Sequence, residues 1–177
     1  MGASLILCGI KHCGKSTLGK TLAREIFLPF CDTDELLETR YQAPVRTLFK
    51  EWGEEEFRRR EALLLAGLEN QVPGVISLGG GALLRQENQE TVRKLGTLIW
   101  CDIDDRTAFQ RIAAGGLPPF LAGEPDPFEK FSRNNRERRK IFEACCDLRF
   151  CPDPESSPEE NVSNLRRLLR EKGVIDK

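Results

Sequence analysis

Residues Gly9 to Thr17 read Gly-Ile-Lys-His-Cys-Gly-Lys-Ser-Thr, a fit to G-x-x-x-x-G-K-[ST]. That pattern carries phosphate chemistry. The loop curls its backbone N–H groups inward, the helix that follows points the positive end of its dipole at the anion, and Lys15 reaches the β- and γ-phosphates of a nucleotide. Ser16 offers its hydroxyl to Mg²⁺, and Lys11, His12, Cys13, Gly14 and Thr17 are the remaining expected nucleotide contacts. Further on, Asp32-Thr33-Asp34 sets two carboxylates one residue apart. Such a pair can divide the work, one acid holding Mg²⁺ through water and the other accepting a proton from an incoming hydroxyl. The competing reading, a cap for a helix from Glu35 onward, accounts for one of these residues and hardly both.

These residues need a scaffold that brings distant loops together. Short apolar runs at Leu5 to Cys8, Leu28 to Cys31, Val75 to Leu78, Leu98 to Cys101 and Leu148 to Cys151 have the pattern of strands covered on both faces. Helical periodicity fills the intervals: Lys15 to Ile26, Glu35 to Tyr41, Glu54 to Gln71, Gln86 to Leu95, Arg106 to Ala113, Glu129 to Cys145 and Pro158 to Lys172, the last begun by Ser157 with Pro158 in its first turn. The expected fold is α/β, a five-stranded parallel sheet flanked by helices. Ligands of such sheets lie beyond the carboxyl ends of the strands, where this chain carries Gly9 to Thr17, Asp32 to Asp34 and Gly79 to Gly81. Between 113 and 128 the periodicity fails in a run of glycines and prolines, a loop of the length that lids have.

The 177 residues, with a formal net charge of −1, fit one domain and supply no basic field for a nucleic acid. No apolar run approaches the roughly 20 residues that span a bilayer, and the N-terminus runs straight into a strand, so a cytoplasmic protein without a membrane partner is expected. Seven cysteines without paired C-x-x-C spacing argue against a zinc site or disulfide framework. Cys13 alone has a functional setting: a thiol among N–H donors at a helix N-terminus gains thiolate character, against the plainer reading of a tolerated small side chain.

A helix opens at Gly53-Glu54-Glu55-Glu56-Phe57-Arg58-Arg59-Arg60-Glu61, acids first and three arginines after. With Asp32-Thr33-Asp34 and Phe49 upstream, and Ser77-Leu78-Gly79-Gly80-Gly81 downstream, the order and spacing resemble the shikimate kinases, P-loop kinases related to those of nucleoside monophosphates. The resemblance covers nearly the whole chain. It implies a single kinase domain over 1–177, its core at 1–32, 72–112 and 146–177, a substrate-binding region at 33–61 and a lid at 113–128. It also implies ATP and Mg²⁺, a monomer, and transfer of phosphate to the 3-hydroxyl of shikimate on the way to chorismate and the aromatic amino acids.

Carried over by residue, Lys15 and Ser16 go to ATP and Mg²⁺, and Asp32 to the metal's outer shell. Asp34 goes to the ring hydroxyls and the proton. Arg58, oriented by Glu61, and Arg138 hold the substrate carboxylate; Gly79, Gly80 and Gly81 let backbone approach the ring; Phe49 and Phe57 wall it, and Arg111 lies near the adenine. Two positions depart from the family pattern. His12, the chain's one histidine, stands where glycine is usual, and must point out of the loop, to solvent or toward the γ-phosphate. The lid, which normally begins Arg-Pro-Leu-Leu, reads Pro118-Pro119-Phe120-Leu121, without the arginine that clamps the transferring phosphoryl group. A kinase for an open-chain acid such as gluconate, and a non-catalytic nucleotide-binding relative, are the rival readings. Retention of Lys15, Ser16, Asp32, Asp34, Arg58 and Arg138 speaks against the second.

Overall fold

The structure, a computed structural model, describes residues 3–70, 73–118 and 121–176. Five parallel strands, β1 (Ser4–Cys8), β2 (Phe30–Asp32), β3 (Val75–Ser77), β4 (Gly96–Cys101) and β5 (Leu148–Phe150), lie in the order β2-β3-β1-β4-β5. The central strand β1 is buried throughout, as an apolar run between two neighbours must be, with the hydroxyl of buried Ser4 accepting from Gly74 N, and its register pairs Leu5 with Val75 and with Thr97. Among the described residues there are seven α-helices: α1 (Lys15–Glu25), α2 (Thr33–Tyr41), α3 (Val45–Gly67), α4 (Gln86–Leu95), α5 (Asp105–Ala114), α6 (Pro127–Cys145) and α7 (Pro158–Glu171). One apolar cluster, from Leu5 in β1 to Leu169 in α7, packs helices onto both faces of the sheet. The parallel sheet therefore takes the form expected.

Several boundaries differ from the sequence pattern by a residue or more, and three of them have a local reason that bears on the site. Helix α3 begins at Val45, not Glu54, because Gly53 interrupts it at φ 75°, ψ 171° and hides the continuity of two helical stretches. The kink falls between Phe49 and Phe57 and lets their rings meet, centroids 5.3 Å apart. The expected end of that helix, Gln71, lies outside the described residues. Strand β2 begins at Phe30, after Pro29, whose carbonyl accepts from Val75 N at 2.8 Å. Helix α2 begins at Thr33, so only Asp32 of the two carboxylates is in the strand; Asp34 stands in the helix's first turn, and the pair is not extended. Ser157 caps α7 in a reciprocal box with Glu160, with Pro158 in the first turn.

Candidate active site

The loop between β1 and α1 is open to an anion. Gly14 closes it at φ 89°, a left-handed conformation that suits glycine, and among the described residues the N–H groups of Gly14, Lys15 and Ser16 have no acceptor. They face a cleft of about 550 Å³ lined by the loop residues Lys11 to Leu18, by Asp34 and Arg111, and on the far side by Pro152, Asp153, Pro154 and Ser156. Arg111, near the end of α5, lies against the loop itself: Nη1 donates to the His12 carbonyl at 3.2 Å. His12 takes φ 63° and is exposed, which explains why glycine would be at ease there. Partial burial, then Lys11, Lys15 and Arg111, lower its pKa, so in the protein alone the imidazole is driven toward its neutral form. The negative charge of an incoming phosphate would oppose that shift. Cys13 is buried, its Sγ packed close to Gly9, which favours the small-side-chain reading over a reactive thiol.

At the end of β2, Asp32 does both jobs between which the sequence left a choice. Its Oδ1 caps α2, accepting from Asp34 N at 2.9 Å and Glu35 N at 3.4 Å, while Oδ2 accepts from Ser16 Oγ at 2.6 Å. Ser77 Oγ, fully buried on β3, lies 3.2 Å from Ser16 Oγ. A hydroxyl held by a carboxylate at the loop is a hard-oxygen set suited to Mg²⁺, which takes few protein ligands and shares phosphate oxygens. Thr33 is buried and accepts from Gly79 N at 2.8 Å, fastening α2 to the glycine run. Asp34 then points into the cleft. Its pKa is raised, first by burial and then by Asp32, against the opposing pull of Lys15 and Lys11.

The glycine run lies directly under the charged groups. A Cβ on Gly79 would stand 2.5 Å from Asp34 Oδ1 and 3.3 Å from Glu61 Oε1, and one on Gly81 would collide with the Arg58 guanidinium. Any side chain at either position would displace those groups. Arg58 donates from Nη1 to Glu61 Oε2 at 2.8 Å, the two side chains 12% and 1% exposed, and its Nε has no partner. Burial raises the Glu61 pKa despite Arg58. Arg138, on α6, has its pKa lowered by burial and then by the charge of Arg58, and no described residue hydrogen-bonds its guanidinium. The two part-buried guanidinium groups thus lie near enough for the charge of Arg58 to disfavour that of Arg138, with Glu54 acting in the opposite sense. Beside them Phe57 is buried and Phe49 is 38% exposed, with Arg58 over both rings at 5.4 and 6.0 Å. The sequence-nominated residues accordingly fall into two adjoining groups, Lys11 to Thr17 with Asp32 and Arg111, and Arg58, Arg138, Phe49 and Phe57 with the glycines, and Asp34 lies between them.

Several residues escaped the sequence reading. Thr33 and Ser77 are small polar residues inside apolar or acidic runs, and the 152–156 wall carries no motif beyond its prolines. In the lid region, Pro119 and Phe120 lie outside the described residues; Leu121 is fully buried, and Lys130 is ion-paired with Glu124 at 2.5 Å. Arg133 and Arg136 are exposed.

With the geometry established, comparison with known proteins places it. A family model described as Shikimate kinase matches residues 11–170. A shikimate kinase of Symbiobacterium thermophilum is 36% identical over 172 residues, covering 96% of this chain and 98% of its own. A solved shikimate kinase of Bacteroides thetaiotaomicron superposes with a TM-score of 0.83 at 30% identity, over 95% of this chain and 98% of that one. A shikimate kinase of Acinetobacter baumannii solved in complex with shikimate gives a TM-score of 0.88 over 97% and 95% of the chains; at 22% identity it speaks to the fold alone.

Proposed function

The chain belongs to the shikimate kinase family, and from that premise we propose that it moves the γ-phosphoryl group of ATP to the 3-hydroxyl of shikimate, giving shikimate 3-phosphate and ADP. The observation that carries this reading is the pair Arg58 and Arg138, two guanidinium groups held close in a part-buried pocket beside Asp34, an arrangement that a substrate carboxylate relieves. Arg58, steadied by Glu61, binds that carboxylate as a fork; Phe49 and Phe57 cover the ring, and Gly79 to Gly81 admit it against the backbone. Lys15 and the free loop N–H groups hold the β- and γ-phosphates, with Arg111 at the loop's mouth.

The chemistry asks mainly for alignment and neutralisation of charge. The hydroxyl oxygen of the substrate forms a bond to the γ-phosphorus as the bridging bond to ADP breaks, and its proton passes to Asp34. A carboxyl whose pKa is raised is a better acceptor for that proton than an ordinary aspartate. Ser16, with Asp32 behind it, would hold Mg²⁺, which supplies charge neutralisation on the phosphates. The segment 113–128 closes over the phosphates and excludes water that would otherwise hydrolyse ATP. Both halves of the cleft come from one chain, which supports action as a monomer. A coupled assay of ADP release with shikimate, gluconate and shikimate methyl ester tests the reading: shikimate should be the preferred acceptor, and preference for gluconate or ATP turnover indifferent to any acid would refute it.

A further inference from the structure

Arg138 and Arg139 are neighbours on α6, about 100° apart around the helix, and they look in different directions. Arg138 faces Arg58. Arg139, part-buried, faces the segment between β4 and α5, where it makes three bonds: Nη1 to Asp105 Oδ1 at 2.8 Å, Nη2 to the Ile103 carbonyl at 2.8 Å and Nε to Asp102 Oδ1 at 3.3 Å. One turn earlier on the same helix, buried Asn135 donates to the same Asp105 oxygen at 2.9 Å. The far oxygen of Asp102 is held by Arg149 at 2.6 Å, so this carboxylate is fixed from both sides. Asp105 in turn begins α5, the helix that carries Arg111 to the phosphate loop.

This clamp lies where the like charges make it necessary. Arg58 is tied to Glu61, whereas no described residue hydrogen-bonds the Arg138 guanidinium, on which only the charges of Arg58 and Glu54 act. The charge of Arg58 disfavours that of Arg138, Glu54 favours it, and the polar attachments that fix this part of α6 are within four residues of Arg138. A guanidinium suits the task, since its planar fork can satisfy two carboxylates and a carbonyl at once, which an ammonium cannot do with the same fixed geometry.

We propose that Arg139 is a positioning residue that holds Arg138 in register with Arg58, so that the carboxylate site is assembled before substrate arrives. The proposal rests on the shikimate reaction above, and the experiment separates the two. Steady-state kinetics are measured on the unmodified enzyme, Arg138→Ala, Arg139→Ala, Arg139→Lys and the double variant Arg138→Ala/Arg139→Ala. Arg139→Ala should raise the KM for shikimate about tenfold while the KM for ATP moves less than about twofold, and Arg139→Lys should recover only part of the loss. On the Arg138→Ala background, removing Arg139 should add less than about twofold, because the residue acts through Arg138. With shikimate methyl ester, which has no anion to receive, the Arg139→Ala penalty should largely vanish. Additive effects on the two backgrounds, an equal loss for ATP, or an undiminished penalty with the ester would each overturn the proposal. If Arg139→Ala does not fold, Arg139→Lys goes through the same cycle and decides by the same criteria. An unmodified enzyme inert toward shikimate would instead sink the reaction itself.

Discussion

Arg58 and Glu61 face each other at 12% and 1% exposure, with Arg138 pressed close by, whereas Lys11, His12 and Arg111 stand exposed around the phosphate loop. The acceptor half of the cleft has already removed its charges from water; the phosphate half has not. Charges in a desolvated pocket interact strongly and over a fixed geometry, so they select a ligand. Exposed charges are screened, and gain strength only when something closes over them. On the reaction proposed above, the difference would divide the cleft into a preformed half that chooses the acceptor and a half that becomes effective on closure.

Asp34 lies on the boundary, and changing it has the largest expected effect. Asp34→Asn keeps the shape but removes the proton acceptor, and turnover should fall by about 10² to 10⁴ with little change in shikimate binding. Because the raised carboxyl must be ionised to act, the acid limb of the pH–rate profile should lie above the ordinary aspartate range and be absent from the residual activity of the variant. The same shift carries a stability sign. Asp34 favours folding below its ordinary pKa, and that contribution is lost as pH rises through its raised native value, so Asp34→Asn should melt higher than the parent at pH 7. A rise in KM alone, with turnover intact, would mean that Asp34 positions the hydroxyls and is not the base.

Lys15 and Arg58 test the two halves against each other. Lys15→Ala should lower turnover at least about a hundredfold and leave the fold intact, since its ammonium serves the phosphates and not the core. Arg58→Lys keeps the charge but loses the fork, and should raise the shikimate KM about tenfold to a hundredfold with ATP affinity little changed. If ATP binding weakened as much as shikimate binding in the Arg58 variant, the division between the halves would fail. Removing the partner, as in Glu61→Ala, leaves a buried guanidinium unpaired and should cost about 3 kcal/mol of stability, measurable by urea denaturation.

The two halves were not equally legible in the sequence. The phosphate loop is a local device: strand, glycine turn, lysine and helix are contiguous, so their spacing alone places Lys15, Ser16 and the N–H groups. The acceptor half is assembled from five separate segments, and only Arg58 with Glu61, three apart on one helix, has a spacing that announces a pair. Asp32 and Asp34 were visible as acids, but the strand-to-helix change between them was not, because one Asp32 carboxylate both caps the helix through Oδ1 and accepts from Ser16 through Oδ2. Thr33 and Ser77 are silent for another reason, since a buried hydroxyl in an apolar context has no signature until its partner is known. Within the cluster Arg136 to Lys140 only the family resemblance nominates a member, Arg138. Burial singles out Arg138 and Arg139 from it, and sends them to opposite tasks.

The smallest effect expected concerns the cation that serves in place of a lid arginine at Pro118. Among lid-side candidates Lys130 is engaged by Glu124, which leaves Arg133 and Arg136, both exposed on α6. Lys11 and His12, by contrast, already line the phosphate cleft and need no helix to turn. His12 is neutral-leaning in the protein alone, so its help depends on the phosphate restoring its proton, and it should fade as pH rises. Lys11→Ala or His12→Gly should therefore lower turnover at saturating shikimate by about threefold to tenfold, and Arg133→Ala or Arg136→Ala by less, on the scale of one exposed charge contact. His12→Gly should not destabilise the fold, because φ 63° is a conformation that glycine adopts without strain. Full turnover in both loop variants with a loss in either helix variant would place the compensating cation on α6, and would move part of the phosphate half from the loop to the lid.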